Sequence, residues 1–213
     1  MSPSGLILAT LTAALLLLPL VPATATEEPA FRLIEKSGSF ELREYPPLLA
    51  AETLVAGAGF EDAADVAFGR LFGYISGNNR GRTEIAMTVP VVQSRSDDGE
   101  KIAMTAPVIQ QGDAGSYRVA FLVPARYTAE TVPEPLDPAV RIVATPALLV
   151  AVRRYSGRAS AESYRAEEAR LMADIASRGL KAAGNPISAQ YDAPFIPGPF
   201  RRNEVLMPVT QPD

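Results

Sequence analysis

The segment Ile85-Ala86-Met87-Thr88-Val89-Pro90-Val91 returns seventeen residues later as Ile102-Ala103-Met104-Thr105-Ala106-Pro107-Val108. Each copy is apolar and ends on a proline that has no N–H for a sheet ladder, so each marks a strand edge or a bulge. The polar stretch Ser94 to Lys101 joins them. The pattern therefore predicts two neighbouring strands, Ile85–Gln93 and Ile102–Gln111, with Met87 and Met104 as equivalent, shape-adaptable side chains. Core packing is the expected role of both methionines, and lining a ligand cavity is the alternative.

A second echo spans the chain. Pro46, Leu48, Leu49, Ala51 and Gly57 recur as Pro146, Leu148, Leu149, Ala151 and Gly157, and Leu71 and Ile75 recur as Leu171 and Ile175. The order strand, glycine break, amphipathic helix, strand is thus written twice. Phe31–Glu35 and Phe40–Tyr45 flank Ser37-Gly38-Ser39 and predict a hairpin. Leu48–Val55 is strand-like. Phe60–Ile75 places Phe60, Ala64, Ala67, Phe68, Leu71, Phe72 and Ile75 at helical spacing, and Gly77-Asn78-Asn79 ends that helix. Strands are expected at Tyr117–Val123, Val140–Ala144, Leu148–Arg154, Ile187–Tyr191 and Glu204–Val209. Pro124 to Pro138 reads as an ordered loop. A second helix is expected over Ala161–Arg178, with Tyr164, Ala169, Leu171, Met172 and Ile175 as its apolar positions. The sum is a pseudo-twofold α+β domain with two helices beside a sheet.

Leu6 to Val21 is almost wholly apolar and ends in Ala23-Thr24-Ala25, a small-residue cleavage pattern. Residues 1–25 are therefore read as a signal peptide and 26–213 as one domain, periplasmic or secreted, with no stable membrane span once the leader is cut. An uncleaved N-terminal anchor is the alternative. The net charge of −4 lacks the basic excess that nucleic-acid binding uses, and a monomer is expected. The chain contains no His and no Cys. Ser-His-Asp and Cys-His catalysis, thiolate metal sites and His-ligated haem are excluded on that ground. A carboxylate-dependent hydrolase stays open, with Glu52 and Glu84 as its candidate acids, but no partner residue supports either.

The doubled segment resembles the most characteristic motif of the SOUL haem-binding family. Glu41-Leu42-Arg43-Glu44-Tyr45-Pro46 resembles that family's early strand, and Phe68-Gly69-Arg70-Leu71-Phe72-Gly73-Tyr74-Ile75-Ser76-Gly77-Asn78-Asn79 its first helix and exit. Val119-Ala120-Phe121-Leu122-Val123-Pro124 with Tyr127, Ala189-Gln190-Tyr191-Asp192-Ala193-Pro194-Phe195, and Arg201-Arg202-Asn203-Glu204-Val205 follow in the same order. The likeness runs from about Phe31 to Val209.

The resemblance implies a distorted antiparallel β-barrel with two packed helices. It also implies non-catalytic binding of haem or a related porphyrin, a small-molecule tetrapyrrole. It places the ligand against the first helix and the C-terminal loop, where basic residues face the propionates. Carried over, the apolar part is Phe68, Leu71, Phe72, Ile75, Phe195, Ile196 and Phe200, and the basic part is Arg70 and Arg201. The chain departs from the family pattern at Asp65, Gly73 and Ile196, where cations can stand, and it lacks the His that some members use. Binding is therefore expected to rest mainly on apolar contacts. Tyr45, Tyr74 and Tyr191 are conceivable ferric-haem ligands, with core packing the plainer role. Another amphipathic or aromatic small molecule is the alternative ligand.

Overall fold

The computed structural model describes residues 26–81, 99–113, 115–192 and 195–211. The first copy of the doubled segment, Glu84 and the leader lie outside them. In chain order the elements are β1 (Arg32–Ser37), β2 (Phe40–Tyr45), β3 (Leu48–Ala56), α1 (Phe60–Ile75), β4 (Asn79–Arg80), β5 (Val108–Asp113), β6 (Ser116–Leu122), β7 (Glu134–Pro135), β8 (Val140–Thr145), β9 (Leu148–Tyr155), α2 (Ala161–Ser177), β10 (Lys181–Ala182), β11 (Ile187–Gln190) and β12 (Asn203–Thr210). The expected hairpin, both helices and most strands are present. The main sheet is antiparallel and runs β1-β2-β9-β12-β11-β5-β6-β3-β8, with β10 also on β12. Among the described residues this path is open, ending at β1 and β8, so the fold is α+β with one large antiparallel sheet, and no closed ring of strands is seen among those residues. No described helix is long and apolar enough to cross a membrane.

Two connections set this topology. β2 enters β3 through Pro46-Pro47, and β8 enters β9 through Pro146-Ala147. Prolines hold such links extended rather than turned back, so the consecutive strands do not pair as hairpins. Instead β2 pairs with β9 and β8 pairs with β3.

Both helices end alike. Gly77 and Gly179 stand at φ +117° and +68°, a region open to glycine without steric cost. Asn78 N–H donates to the Gly73 carbonyl, and Leu180 N–H to that of Ile175. These bonds close the last turn of each helix. Ser160 caps α2, its side chain accepting from Ser163 N–H.

The core holds Phe40, Leu42, Ala51, Ala67, Leu71, Tyr74, Phe121, Leu171, Val205 and Met207 between the helices and one sheet face. The inward stripe of α1 is Phe60, Ala63, Ala67, Leu71, Tyr74 and Ile75. Phe68 and Phe72, expected within it, are 40% and 47% exposed. Each follows a core position by one residue, about 100° further round the helix axis, which turns it past the sheet contact. On α2 Met172 likewise faces out. That helix is also tied down by Arg153 of β9, which bonds Glu167 and Asp174 at 2.7 and 2.8 Å.

The other sheet face carries a buried ion network. Glu41, Arg43 and Glu204 are 6%, 3% and 1% exposed. Arg43 grips Glu204 with two parallel bonds of 2.8 and 2.9 Å and reaches Glu41 through Nε at 2.8 Å. Tyr191 donates its hydroxyl to Glu204 at 2.7 Å. The Phe31 ring covers the guanidinium at 4.4 Å.

Candidate functional site

The second copy of the doubled segment does not run as the expected strand over Ile102–Gln111. Regular pairing starts only at Val108, after Pro107, which has no N–H to give. Residues 100–106 instead cross the end of α1 as a pinned, irregular segment. Asn79, 3% exposed, donates from its amide to the carbonyls of Tyr74 and Glu100, both at 2.7 Å, and accepts from Glu100 N–H at 2.9 Å. Ile102 N–H donates to the Ile75 carbonyl at 2.8 Å, and Ala106 N–H to that of Glu27 at 2.8 Å. Thr105 Oγ1 donates to the Leu122 carbonyl at 2.5 Å.

This clamp forms one wall of an open depression of about 480 Å³, lined by Phe72, Ile75, Ser76, Lys101, Ile102 and Met104. Its size falls in the roughly 300–1,000 Å³ range of small-molecule sites. Phe68 and Phe72 stack 5.8 Å apart with their planes 11° from parallel, and Phe68 meets the edge of Phe121 at 5.4 Å. The result is an exposed aromatic shelf beside an apolar hollow, with the Lys101 ammonium at its rim. Met104, expected in a core strand, is 41% exposed here. Replacing Asn79 with Ala is expected to cost about 2 kcal/mol, since it strands buried backbone groups at three bonds. A urea melt measures the loss.

The remaining expected site residues are placed as follows. Leu71 and Ile75 are buried in the core. Arg70 leans on β3, with Nη1 at 3.3 Å from the Leu54 carbonyl and 3.4 Å from Thr53 Oγ1. Phe195 and Phe200 are 82% and 79% exposed. Their loop is fastened to the β9–α2 connection by Gly157 N–H donating to the Gly198 carbonyl and by Asn203 donating to that of Gly157. Arg201 Nε donates to the Ile196 carbonyl at 2.6 Å. Residues 195–201 are not among those lining the α1 depression. Lys101 and Ile102 were missed by sequence reasoning. Their signal was the break at Pro107, which takes the preceding residues out of the ladder.

Two other hollows are less suited to a large flat ligand. One, about 420 Å³, lies between residues 27–30 and Pro46-Pro47, and its Glu27 carboxylate already accepts Ala125 N–H at 2.7 Å. The other, about 240 Å³, lies between the helix starts, and its Phe60 ring packs on Tyr164 and Tyr117 at 5.3 and 5.9 Å.

Glu52 is held between Arg141 at 3.3 Å and Arg118 at 3.7 Å. Among the described residues no group of three or more Asp, Glu, His or Cys could hold a metal ion. The three tyrosines named as conceivable ligands have hydroxyls already bonded within the protein. Tyr74 donates to the Pro133 carbonyl at 2.8 Å, and Tyr45 accepts from Arg43 at 3.0 Å. Burial, then the Glu204 charge, raises the Tyr191 phenol well above its ordinary value.

The family model described as SOUL heme-binding protein matches residues 26–99 and 93–208. The chain belongs to the SOUL heme-binding protein family. A curated relative, Heme-binding protein 1 of Xenopus tropicalis, is 28% identical over 173 residues, covering 80% of this chain and 84% of its own. Among solved structures, the crystal structure of the EcmrR C-terminal domain aligns at a TM-score of 0.58 and 11% identity, over 85% of this SOUL chain and 99% of its own. A cryo-EM structure of an EcmrR–DNA complex aligns at 0.57 and 12% identity, over 81% and 57%. At such identities these two show a shared fold alone.

Proposed function

We propose that this SOUL protein binds haem or a related porphyrin without catalysis, on the α1 depression and the aromatic shelf beside it. The observation that carries the reading is the exposed, nearly parallel Phe68–Phe72 stack flanking a hollow lined by Ile75, Ile102 and Met104. Family membership supplies the ligand class. A macrocycle face laid on this shelf removes apolar surface from water, worth roughly 25 cal/mol per Å² before the cost of association. Lys101 is placed to meet a propionate, as a point charge. The residues present thus fit a tetrapyrrole held by its faces, and the bound iron would supply only coordination. The apolar run Leu6 to Val21 and the small-residue pattern Ala23-Thr24-Ala25 support reading the protein as periplasmic or secreted. The 195–201 loop, with its exposed Phe195 and Phe200, is a second apolar surface that the family pattern favours.

The same reading takes the open strand path as the wall of a distorted barrel and the two strand–helix units as a pseudo-twofold pair. Supporting it, β8-β3-β6-β5 and β2-β9-β12-β11 have matching order about the β5–β11 seam.

Titration with hemin and with metal-free protoporphyrin tests the site. Binding of both at about micromolar Kd is expected, and Phe72→Ala should weaken both about tenfold, the loss of roughly 1.4 kcal/mol of buried ring contact. Absence of binding by either would sink the reading.

A further inference from the structure

This inference rests on the α1 depression being a tetrapyrrole site. With no His and no Cys in the chain, the side chains able to reach an axial iron position are Tyr, Lys and Met. Tyr45 and Tyr74, at 6% and 1% exposure, and Tyr191, bonded to Glu204, face the interior. At neutral pH Lys101 is an ammonium with no lone pair to give. Met104 differs on every count. Its thioether has no proton to lose, so its lone pair is available at any pH. It is 41% exposed, although methionine is usually a buried residue. It also lines the same hollow as Phe72 and Ile102.

The backbone that presents it is fixed on both sides. Ile102 N–H is held by the Ile75 carbonyl and Ala106 N–H by that of Glu27, while the Thr105 hydroxyl is held by the Leu122 carbonyl. A flexible side chain on a pinned segment, lining the same hollow as Phe72, is the arrangement an axial ligand needs: a fixed origin and a short adjustable reach.

The geometry points to Met104 as an axial ligand for the iron of a haem seated against Phe72. Met104 Sγ donates a lone pair to iron and displaces a bound water. No electron is transferred and no proton is released. Thioether sulfur is a soft donor, so the bond favours the ferrous state. The protein is therefore a reduced-haem binder by preference, and Met104 sets that preference.

The experiment titrates wild type and Met104→Leu with hemin, with dithionite-reduced haem and with metal-free protoporphyrin. Absorption spectra and the potential of the bound couple are the readouts. Leu keeps volume and apolarity, so folding is retained, and each protein's reduced-haem affinity is compared with its own protoporphyrin affinity. Wild type is expected to bind reduced haem about tenfold more tightly than protoporphyrin, the worth of one weak coordinate bond. Met104→Leu should remove that difference, lower the potential and take one axial ligand out of the ferrous spectrum. If wild type and Met104→Leu give the same ferrous spectrum and affinity while both bind protoporphyrin, Met104 is not a ligand and the tetrapyrrole site stands. If wild type binds neither porphyrin, both ideas fall together.

Discussion

Arg43→Met is expected to destabilise the fold by about 3–5 kcal/mol, the usual cost of removing one partner from a buried ion pair. The guanidinium satisfies both oxygens of Glu204 and one of Glu41, three bonds between 2.8 and 2.9 Å. Without it two buried carboxylates face each other across the sheet with little water. Arg43 is held more firmly protonated than usual. Burial alone would lower its pKa, but the Glu204 bonds and charge outweigh that. The contrast that identifies the mechanism is a triple variant, Arg43→Met with Glu41→Gln and Glu204→Leu. Removing the stranded charges should recover most of the loss, because well-packed apolar groups commonly replace buried ion pairs at little cost. Urea melts of both variants check this. No recovery would mean that the arginine stem, not its charge, supports the sheet.

The same network sets an acid limit. Burial tends to raise the Glu41 carboxyl, but hydrogen bonds and charge from Lys36 and Arg43 hold it below the ordinary 4.5. A carboxylate depressed in the folded state contributes stability that is fully present above its unfolded pKa. That contribution is lost as pH falls through the folded value. Melting should therefore be flat in this respect above about pH 5 and should weaken below about pH 4.5.

Leu71→Ala carries the second large effect, a loss of about 2–5 kcal/mol. Leu71 is 0% exposed and sits at the centre of the α1 contact with the sheet, where truncation leaves a cavity. Its neighbour Phe72 is larger yet 47% exposed. Phe72→Ala should change stability by no more than about 0.5 kcal/mol, as surface substitutions generally do, while weakening porphyrin binding. Thermal or urea unfolding of the pair separates the two faces of one helix. Equal destabilisation by both would show that Phe72 belongs to the core and not to a ligand shelf.

The extents of α1 and α2 were legible because periodicity and, for α1, the Gly77-Asn78-Asn79 exit are local signals. So was the run of strands. Phe68 and Phe72 were named as ligand contacts through the family resemblance, while periodicity alone put them on the inward stripe, because α1 has an apolar arc wider than the stripe its sheet can cover. A pattern shows that an arc is apolar, not where its partner ends. Met104 was misread for a related reason. Ile102 to Val108 is apolar enough for a strand, and beyond the break at Pro107 it is tertiary bonds, the Asn79–Glu100 clamp and the Ile102–Ile75 bond among them, that draw it across the helix end instead. The Arg43–Glu204 pair, 161 residues apart, carries no local signal. It exists because β2 and β12 both pair with β9.

The crossed pairing of β2 with β9 and of β8 with β3 has a consequence for assembly. Each helix-bearing strand takes one lateral neighbour from the distant part of the chain. A nascent polypeptide that ends near Thr145 has β2 but lacks β9, so it holds an unpaired edge beside an uncovered Arg43. Neither half is then a self-sufficient folding unit. Closure waits for contacts that span more than a hundred residues, which makes folding slow relative to a chain of local hairpins. A polypeptide severed in the loop between β7 and β8 should therefore yield two pieces that stay unstructured apart and regain the fold only when mixed.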